Sequence, residues 1–521
     1  MRILVASNGS LLADALVASL SKSQDASVLA AADALDRDRA AEASAGCDAV
    51  IHFPLFAEPA TSPLQAPDAL DRLDVAGRAT YNLITAALDA TRFILISSLR
   101  HFERYPAGWR VTERWAPLPT TNIDGLAPYV AEVAVRETAR VLPLKGIALR
   151  LGEVVSDDVF RTTPSDSRWL HLDDALRAIE RALVFGSDAR PTSPGWSVFH
   201  IPGGGSQTRF PLAQAGEPAF GYIPRHEAGL PMAVSPTTEV ILSDAKDTLP
   251  PSPPIPSPKH VVIFGAGGPI ATVFAASAAG DHVLRLADIR PLADIVAANK
   301  PQNGYAPRPR LLDPPHEAVV VDITDLDQVL AAVDGMDVIV NVTAMRNHPI
   351  EAFRVNMLGP YNVMRAAVAK GIRRVVQSGP SQISLNGPAG YTYDDDLISA
   401  DVPSRPGTEL YFVSKLLGQH ISRIFAYEHN LDVPCLLIGP LLNPEQPPNQ
   451  PHGAYPFSVS WADAGEAVHC ALHAPRLPRP FEPLFIVADL PHGRFSNEKT
   501  KRLLGWQPQD RLEHHWRRDL S

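Results

Sequence analysis

The chain has 521 residues, 45% of them hydrophobic and 20% charged, which excludes disorder throughout and, at roughly 100–200 residues per domain, predicts two to four domains. A net charge of −10 offers no general field to phosphate backbones, so nucleic acid is not an expected partner. Cys47, Cys435 and Cys470 lie far apart with no Cys-x-x-Cys or Cys/His metal spacing, so neither a disulfide framework nor a metal site is indicated, and a reducing cytoplasm fits.

Met1 to Ala6 is apolar but breaks at Ser7-Asn8-Gly9, too short for a secretory h-region, and reads as a first strand. No stretch approaches the ~18–20 apolar residues that span a bilayer, so no membrane partner is expected. The strand runs into the turn Ser7-x-x-Ser10-x-x-Ala13 and a helix, and Cys47 to His52 reads as a buried strand after a helix. Farther on come Asp74 to Asn82, Tyr129 with Val133 four residues later, Leu172-Asp173-Asp174-Ala175, and the turn Gly203-Gly204-Gly205.

Proline then concentrates between Leu249 and Lys259, where it fills six of the nine positions 250–258 and predicts a polyproline-like spacer. The expected boundaries are a first domain at 1–235, a linker at 236–258 and a second domain at 259–521.

The second half opens as the first does, with His260 to Phe264 entering Gly265-x-x-Gly268-x-x-Ala271 and a helix. Met336 to Asn341 parallels Cys47 to His52, and Asn356 to Asn362 parallels Asp74 to Asn82. Tyr411 stands 282 residues after Tyr129, the same separation as Asn356 from Asp74. Trp461-Ala462-Asp463-Ala464 matches Leu172 to Ala175. An internal duplication explains this correspondence. Short apolar runs alternating with helical stretches predict α/β architecture: βαβ units building two tandem, doubly wound parallel sheets with helices on both faces.

Small residues at Gly265, Gly268 and Ala271 let backbone amides and a helix N-terminus approach a pyrophosphate. Asp288 ends the next strand, 20 residues after Gly268, where an acid hydrogen-bonds an adenosine ribose and repels a 2′-phosphate. NAD is therefore favoured over NADP, with Arg285 and Arg290 close enough to leave NADP open. Tyr411 and Lys415, at i and i+4, share a helix face. An ammonium beside a phenol pulls the phenol pKa down from about 10, making Tyr411 a candidate general acid/base.

With these motifs in order, residues 259–521 resemble an extended short-chain dehydrogenase/reductase, the NAD-dependent epimerase/dehydratase family. The set also includes Asp322-Ile323-Thr324-Asp325, Val342-Thr343-Ala344, Asn356 with Gly359, Ser378-Gly379-Pro380-Ser381, and Leu504-Gly505-Trp506-Gln507-Pro508. The resemblance implies that Asp322 and Ile323 sit near the adenine and that Thr343 and Ala344 line the cofactor cleft. It implies that Lys415 also bonds the nicotinamide ribose, that a hydroxyl of the Ser378 to Ser381 turn orients the substrate oxygen, and that Tyr411 moves the proton as hydride travels. Ser381 is the preferred hydroxyl, with Pro380 at that position as the alternative. Substrates in the family are sugars, nucleotide-sugars or other polyols, and Leu286 to Leu292 is similar to uronate dehydrogenases. Loops around Pro440 to Trp461 are expected to contact the substrate.

The N-terminal half resembles the same family without its chemistry, so the resemblance implies α/β architecture with two tandem Rossmann-like doubly wound parallel sheets, each with a small C-terminal substrate-binding part. Serines replace both close-approach glycines, Val133 replaces the lysine, and Asp33 alone persists at the ribose position. It reads as a non-catalytic copy, with a shifted or weaker nucleotide site as the alternative. The halves are expected to pair as a pseudo-dimer, or the chain to form a homodimer. The competing function is a dinucleotide-binding sensor or scaffold. Retention of Tyr411 and Lys415 together favours an enzyme, because a pure binder needs no acid/base pair.

Overall fold

The computed structural model describes residues 1–54, 69–162, 168–186, 195–204, 209–227, 259–298, 306–381, 398–445, 455–491 and 493–515. The chain divides into two compact units, Met1–Ala245 and Lys246–Ser521. The expected proline-rich spacer and the acidic run Asp394-Asp395-Asp396 fall outside the described residues.

Among the described residues each unit builds its own parallel sheet. In the first, six strands (Arg2–Ser7, Asp25–Ala30, Ala49–His52, Arg92–Ser98, Lys145–Leu151, Gly195–Ile201) lie in the order 2-1-3-4-5-6. In the second, seven strands (His260–Phe264, Val283–Asp288, Glu317–Val320, Val338–Asn341, Arg374–Pro380, Val433–Ile438, Phe481–Ile486) lie in the order 3-2-1-4-5-6-7. Among the described residues each unit also carries a small two-stranded parallel pair, Glu153–Val155 with Trp169–His171 and Leu441–Leu442 with Val459–Ser460.

Strands covered on both faces need continuous apolar runs, and Val338–Asn341 and Val433–Ile438 are buried at every position. In the second unit Val261 and Ile263 pack against helices Pro269–Ala278 and Trp461–His473, which meet at Gly465, where a Cβ would lie 2.6 Å from Val273 Cγ1. Trp506 is fully buried in this core and its indole N–H donates to the Asp463 carbonyl at 3.0 Å. Helices Gly359–Lys370 and Leu410–His429 cover the other face.

The strand order reverses between His260–Phe264 and Val338–Asn341, which pair side by side. Ligands of open α/β sheets bind in the crevice that opens at the carboxyl ends of such strands. Gly265 and Thr343 stand there.

Candidate active site

Gly265 leaves its strand with φ +85°, and a Cβ on it would meet Thr343 N at 3.0 Å and Thr343 Cα at 3.1 Å. Only glycine suits this turn without strain. Gly268 opens helix Pro269–Ala278 with no side-chain cap, so the first-turn amides are not claimed by a capping hydroxyl, and Ala271 is buried beneath them. Gly267 N donates to Asp288 Oδ2 at 2.9 Å, bringing the end of the second strand onto the glycine turn.

Asp322 Oδ1 accepts from Thr324 N at 2.8 Å and Thr324 Oγ1 at 2.7 Å, so this acid organises its own turn. Ile323 is buried, and its carbonyl accepts from Asn362 Nδ2 at 3.1 Å. Thr343 Oγ1 donates to Asn341 Oδ1 at 2.8 Å, and Ala344 is exposed.

Helix Leu410–His429 carries Tyr411 and Lys415 to the same edge. Buried Lys415 donates its Nζ–H to the Thr343 carbonyl at 2.5 Å. Burial lowers its ammonium to about 8, with the Arg346 charge acting in the same direction. The expected effect of Lys415 on the phenol is corrected here. Burial pushes the Tyr411 phenol up from its ordinary value, and the cation opposing that push is Arg346, whose guanidinium carbon lies 4.6 Å from the ring centroid.

In the Ser378 to Ser381 turn, Ser378 Oγ donates to the Asn341 carbonyl at 3.3 Å, and Pro380 pairs in register with Ile438. Ser381 is fully buried, and its hydroxyl finds no hydrogen-bond partner among the described residues.

Residues 275–471 match the NAD dependent epimerase/dehydratase family. An L-arabinose 1-dehydrogenase (NAD(P)(+)) from Haloferax volcanii is 24% identical over 267 residues, 48% of this chain and 96% of that protein. An NAD-dependent glucose-6-phosphate dehydrogenase from the same organism is 24% identical over 261 residues, 48% of this chain and 93% of that protein. Among solved structures, the uronate dehydrogenase of Agrobacterium tumefaciens is 25% identical with a TM-score of 0.39, covering 49% of this chain and 86% of that one. No helix among the described residues is long and apolar enough to cross a membrane.

Two site residues carried no assigned role in the sequence. Arg346 sits in the loop after the fourth strand, where no local pattern marks it. Asn356 was legible as a motif member, but its task was not. Its Nδ2 donates to the Met345 carbonyl at 2.7 Å and to Ser414 Oγ at 3.0 Å, and its Oδ1 accepts from Met345 N at 3.0 Å. Ser414 Oγ in turn donates to the Tyr411 carbonyl at 3.1 Å. Asn356 therefore ties the Thr343 to Arg346 loop to the tyrosine helix. It lies in a single π-helical turn, Arg354–Leu358, of a kind that recurs at functional sites and leaves no mark in residue periodicity. The helix packs there through Gly418, whose Cβ would fall 2.0 Å from the Asn356 carbonyl oxygen.

In the first unit, the turn after the first strand is capped by its own side chains. Ser7 Oγ accepts from Gly9 N at 3.0 Å, Asn8 Oδ1 from Ser10 N at 3.1 Å, and Ser10 Oγ caps the helix by accepting from Ala13 N at 3.3 Å. Asp33 is ion-paired with Arg39 at 2.9 Å. Tyr129 is buried edge-on to His101, with Val133 buried one turn later. The neighbouring Glu132 carboxylate is held well below its usual range by Arg150, against the opposing effect of burial.

Proposed function

We propose that residues 259–521 catalyse NAD-dependent oxidation of a carbinol on a sugar, sugar acid or nucleotide-sugar, in the manner of an extended short-chain dehydrogenase/reductase. The step is either net dehydrogenation or the first half of an epimerisation or dehydration. The observation that carries this reading is the buried Lys415 ammonium bonded to the Thr343 carbonyl at the switch point, one turn from a tyrosine lying against Arg346. The two sugar dehydrogenases to which the chain is similar support the substrate class.

The residues present fit a dinucleotide. The Gly265 turn leaves a backbone cradle that a Cβ would fill, and the uncapped helix start behind it suits a pyrophosphate. The Asp288 carboxylate takes two backbone donors, Gly267 N on Oδ2 and Arg290 N at 3.4 Å on Oδ1, and a carboxylate offers about four lone-pair sites, which leaves capacity for a ribose diol. Its charge disfavours a 2′-phosphate. When bound, the nicotinamide supplies the hydride acceptor. An ammonium has three donors, and Lys415 spends one on Thr343, leaving others for ribose hydroxyls. The buried Ser381 hydroxyl orients the substrate oxygen, and Tyr411 exchanges a proton with it. A neutral phenol, the form burial favours, is ready to donate to a carbonyl, and must lose its proton before it can accept one from a carbinol.

The test is incubation with NAD or NADP and a panel of sugars, sugar acids and nucleotide-sugars, read as absorbance of reduced cofactor or as isomerised product. Turnover with at least one member, faster with NAD, is expected. Uptake of NAD without turnover on any member would instead favour a sensor.

Arg346 gives a pH prediction. Its charge lowers both the Tyr411 and Lys415 values, so Arg346→Gln raises both. The rise of kcat/KM for oxidation with pH, governed by loss of the phenolic proton, then moves to higher pH. A variant that loses activity with an unmoved inflection would refute this role.

The same proposal takes the first unit as a degenerate, non-catalytic copy, because its loop amides are already satisfied by Ser7, Asn8 and Ser10.

A further inference from the structure

The second unit gathers three histidines at the amino-terminal end of its sheet, away from the Gly265 crevice. His282 immediately precedes the second strand, while His469 and His473 stand one turn apart at the end of helix Trp461–His473. One ligand nitrogen from each lies within 4.8 Å of the others, and His282 Nε2 is 3.2 Å from His473 Nε2. Two imidazole nitrogens at about 2.0–2.1 Å from a tetrahedral zinc ion are separated by about 3.3–3.4 Å. That contact, which is also within hydrogen-bond distance for two imidazoles, matches one edge of the coordination polyhedron, and the other two close by rotation of partly buried His469.

We propose that His282, His469 and His473 form a three-histidine binding site for a divalent transition metal of the zinc class, with water in the fourth position. Imidazole-only donor sets select zinc, copper or nickel over magnesium and calcium. Glu466 Oε2 lies 3.7 Å from His469 Nδ1, a charge near the cluster but outside hydrogen-bond distance. The neighbouring buried cation Arg374 is ion-paired with Asp432. A second histidine group, His171, Asp173 and His226, is a poorer candidate. There His171 Nε2 faces Asp157 Oδ1 at 3.2 Å, His171 Nδ1 accepts from Asp173 N at 3.2 Å, and His226 Nδ1 is 3.2 Å from Asp174 Oδ2.

The metal would join the start of the second strand to the helix that packs across Pro269–Ala278 at Gly465, bracing the helix that opens at the glycine turn. Its role is in stability, since the Tyr411 edge lies at the opposite ends of the strands.

The experiment uses the full chain stripped with a chelator and titrated with zinc chloride by calorimetry, and separately with cobalt(II), whose visible spectrum reports tetrahedral nitrogen coordination. Binding of one equivalent, with a raised melting temperature, is expected. His473→Ala changes an exposed residue and should abolish both effects, whereas His171→Ala should preserve them. Failure of the parent protein to bind zinc, or retention of the equivalent by both His473→Ala and His282→Asn, would overturn the site.

Discussion

Tyr411→Phe should lower kcat about 10²–10⁴-fold, the usual contribution of a positioned general acid/base, while leaving NAD affinity unchanged. The substitution deletes one hydroxyl and keeps the ring that lies against Arg346 at 4.6 Å and Phe412 at 5.6 Å. Steady-state rates on any substrate found in the panel, together with calorimetric NAD binding, separate the two effects. A decline of less than tenfold would remove Tyr411 as the proton carrier, and a parallel loss of NAD binding would assign it to the cofactor cradle instead.

Trp506→Ala should cost about 3–5 kcal/mol, the range for truncating a large aromatic in a packed core. The indole is fully buried among Val261-side core residues and donates to the Asp463 carbonyl at 3.0 Å. Asp463 anchors the segment after Trp506, since its carboxylate accepts from Gln509 N at 2.7 Å and Asp510 N at 3.0 Å. Burial raises the Asp463 carboxyl despite these donors. Trp506→Phe keeps most of the volume and loses the hydrogen bond, a smaller cost of about 0.5–1.5 kcal/mol from that bond. Hydrogen exchange of amides in strands His260–Phe264 and Val433–Ile438 locates the loss in this unit. If the alanine variant lost less than the phenylalanine variant, the packing argument would be wrong.

Legibility followed the range of each interaction. The Gly265 turn, the helix behind it and Asp288 lie within one βαβ segment, and the Gly267 to Asp288 hydrogen bond joins elements adjacent in the chain. Tyr411 and Lys415 were readable because i and i+4 fixes their shared helix face. The partners they meet were not. The expected pairing of ammonium with phenol gave way to Lys415 on the Thr343 carbonyl and Arg346 on the tyrosine ring. Both contacts cross from the helix to a loop more than 60 residues earlier in the chain. Ser381 is the preferred hydroxyl from the sequence, with Pro380 as the alternative; what surrounds the two serine hydroxyls, a neighbouring strand carbonyl for Ser378 and no described partner for Ser381, is visible only in the structure.

The histidine trio shows the same division. His469 and His473 stand one helical turn apart, a pair that goes unmarked in the sequence because it has no meaning until a third ligand arrives, and His282 comes from 187 residues away. The amino-acid order by itself determined the strands, the glycine turn, the acid after it and the α/β class, because backbone sterics and periodic burial act over a few residues. Which cation faces the phenol, which hydroxyl stays unpaired and which imidazoles converge were decided only by tertiary structure. Those outcomes depend on how a π-helical turn, a loop and two helices are held against a completed sheet.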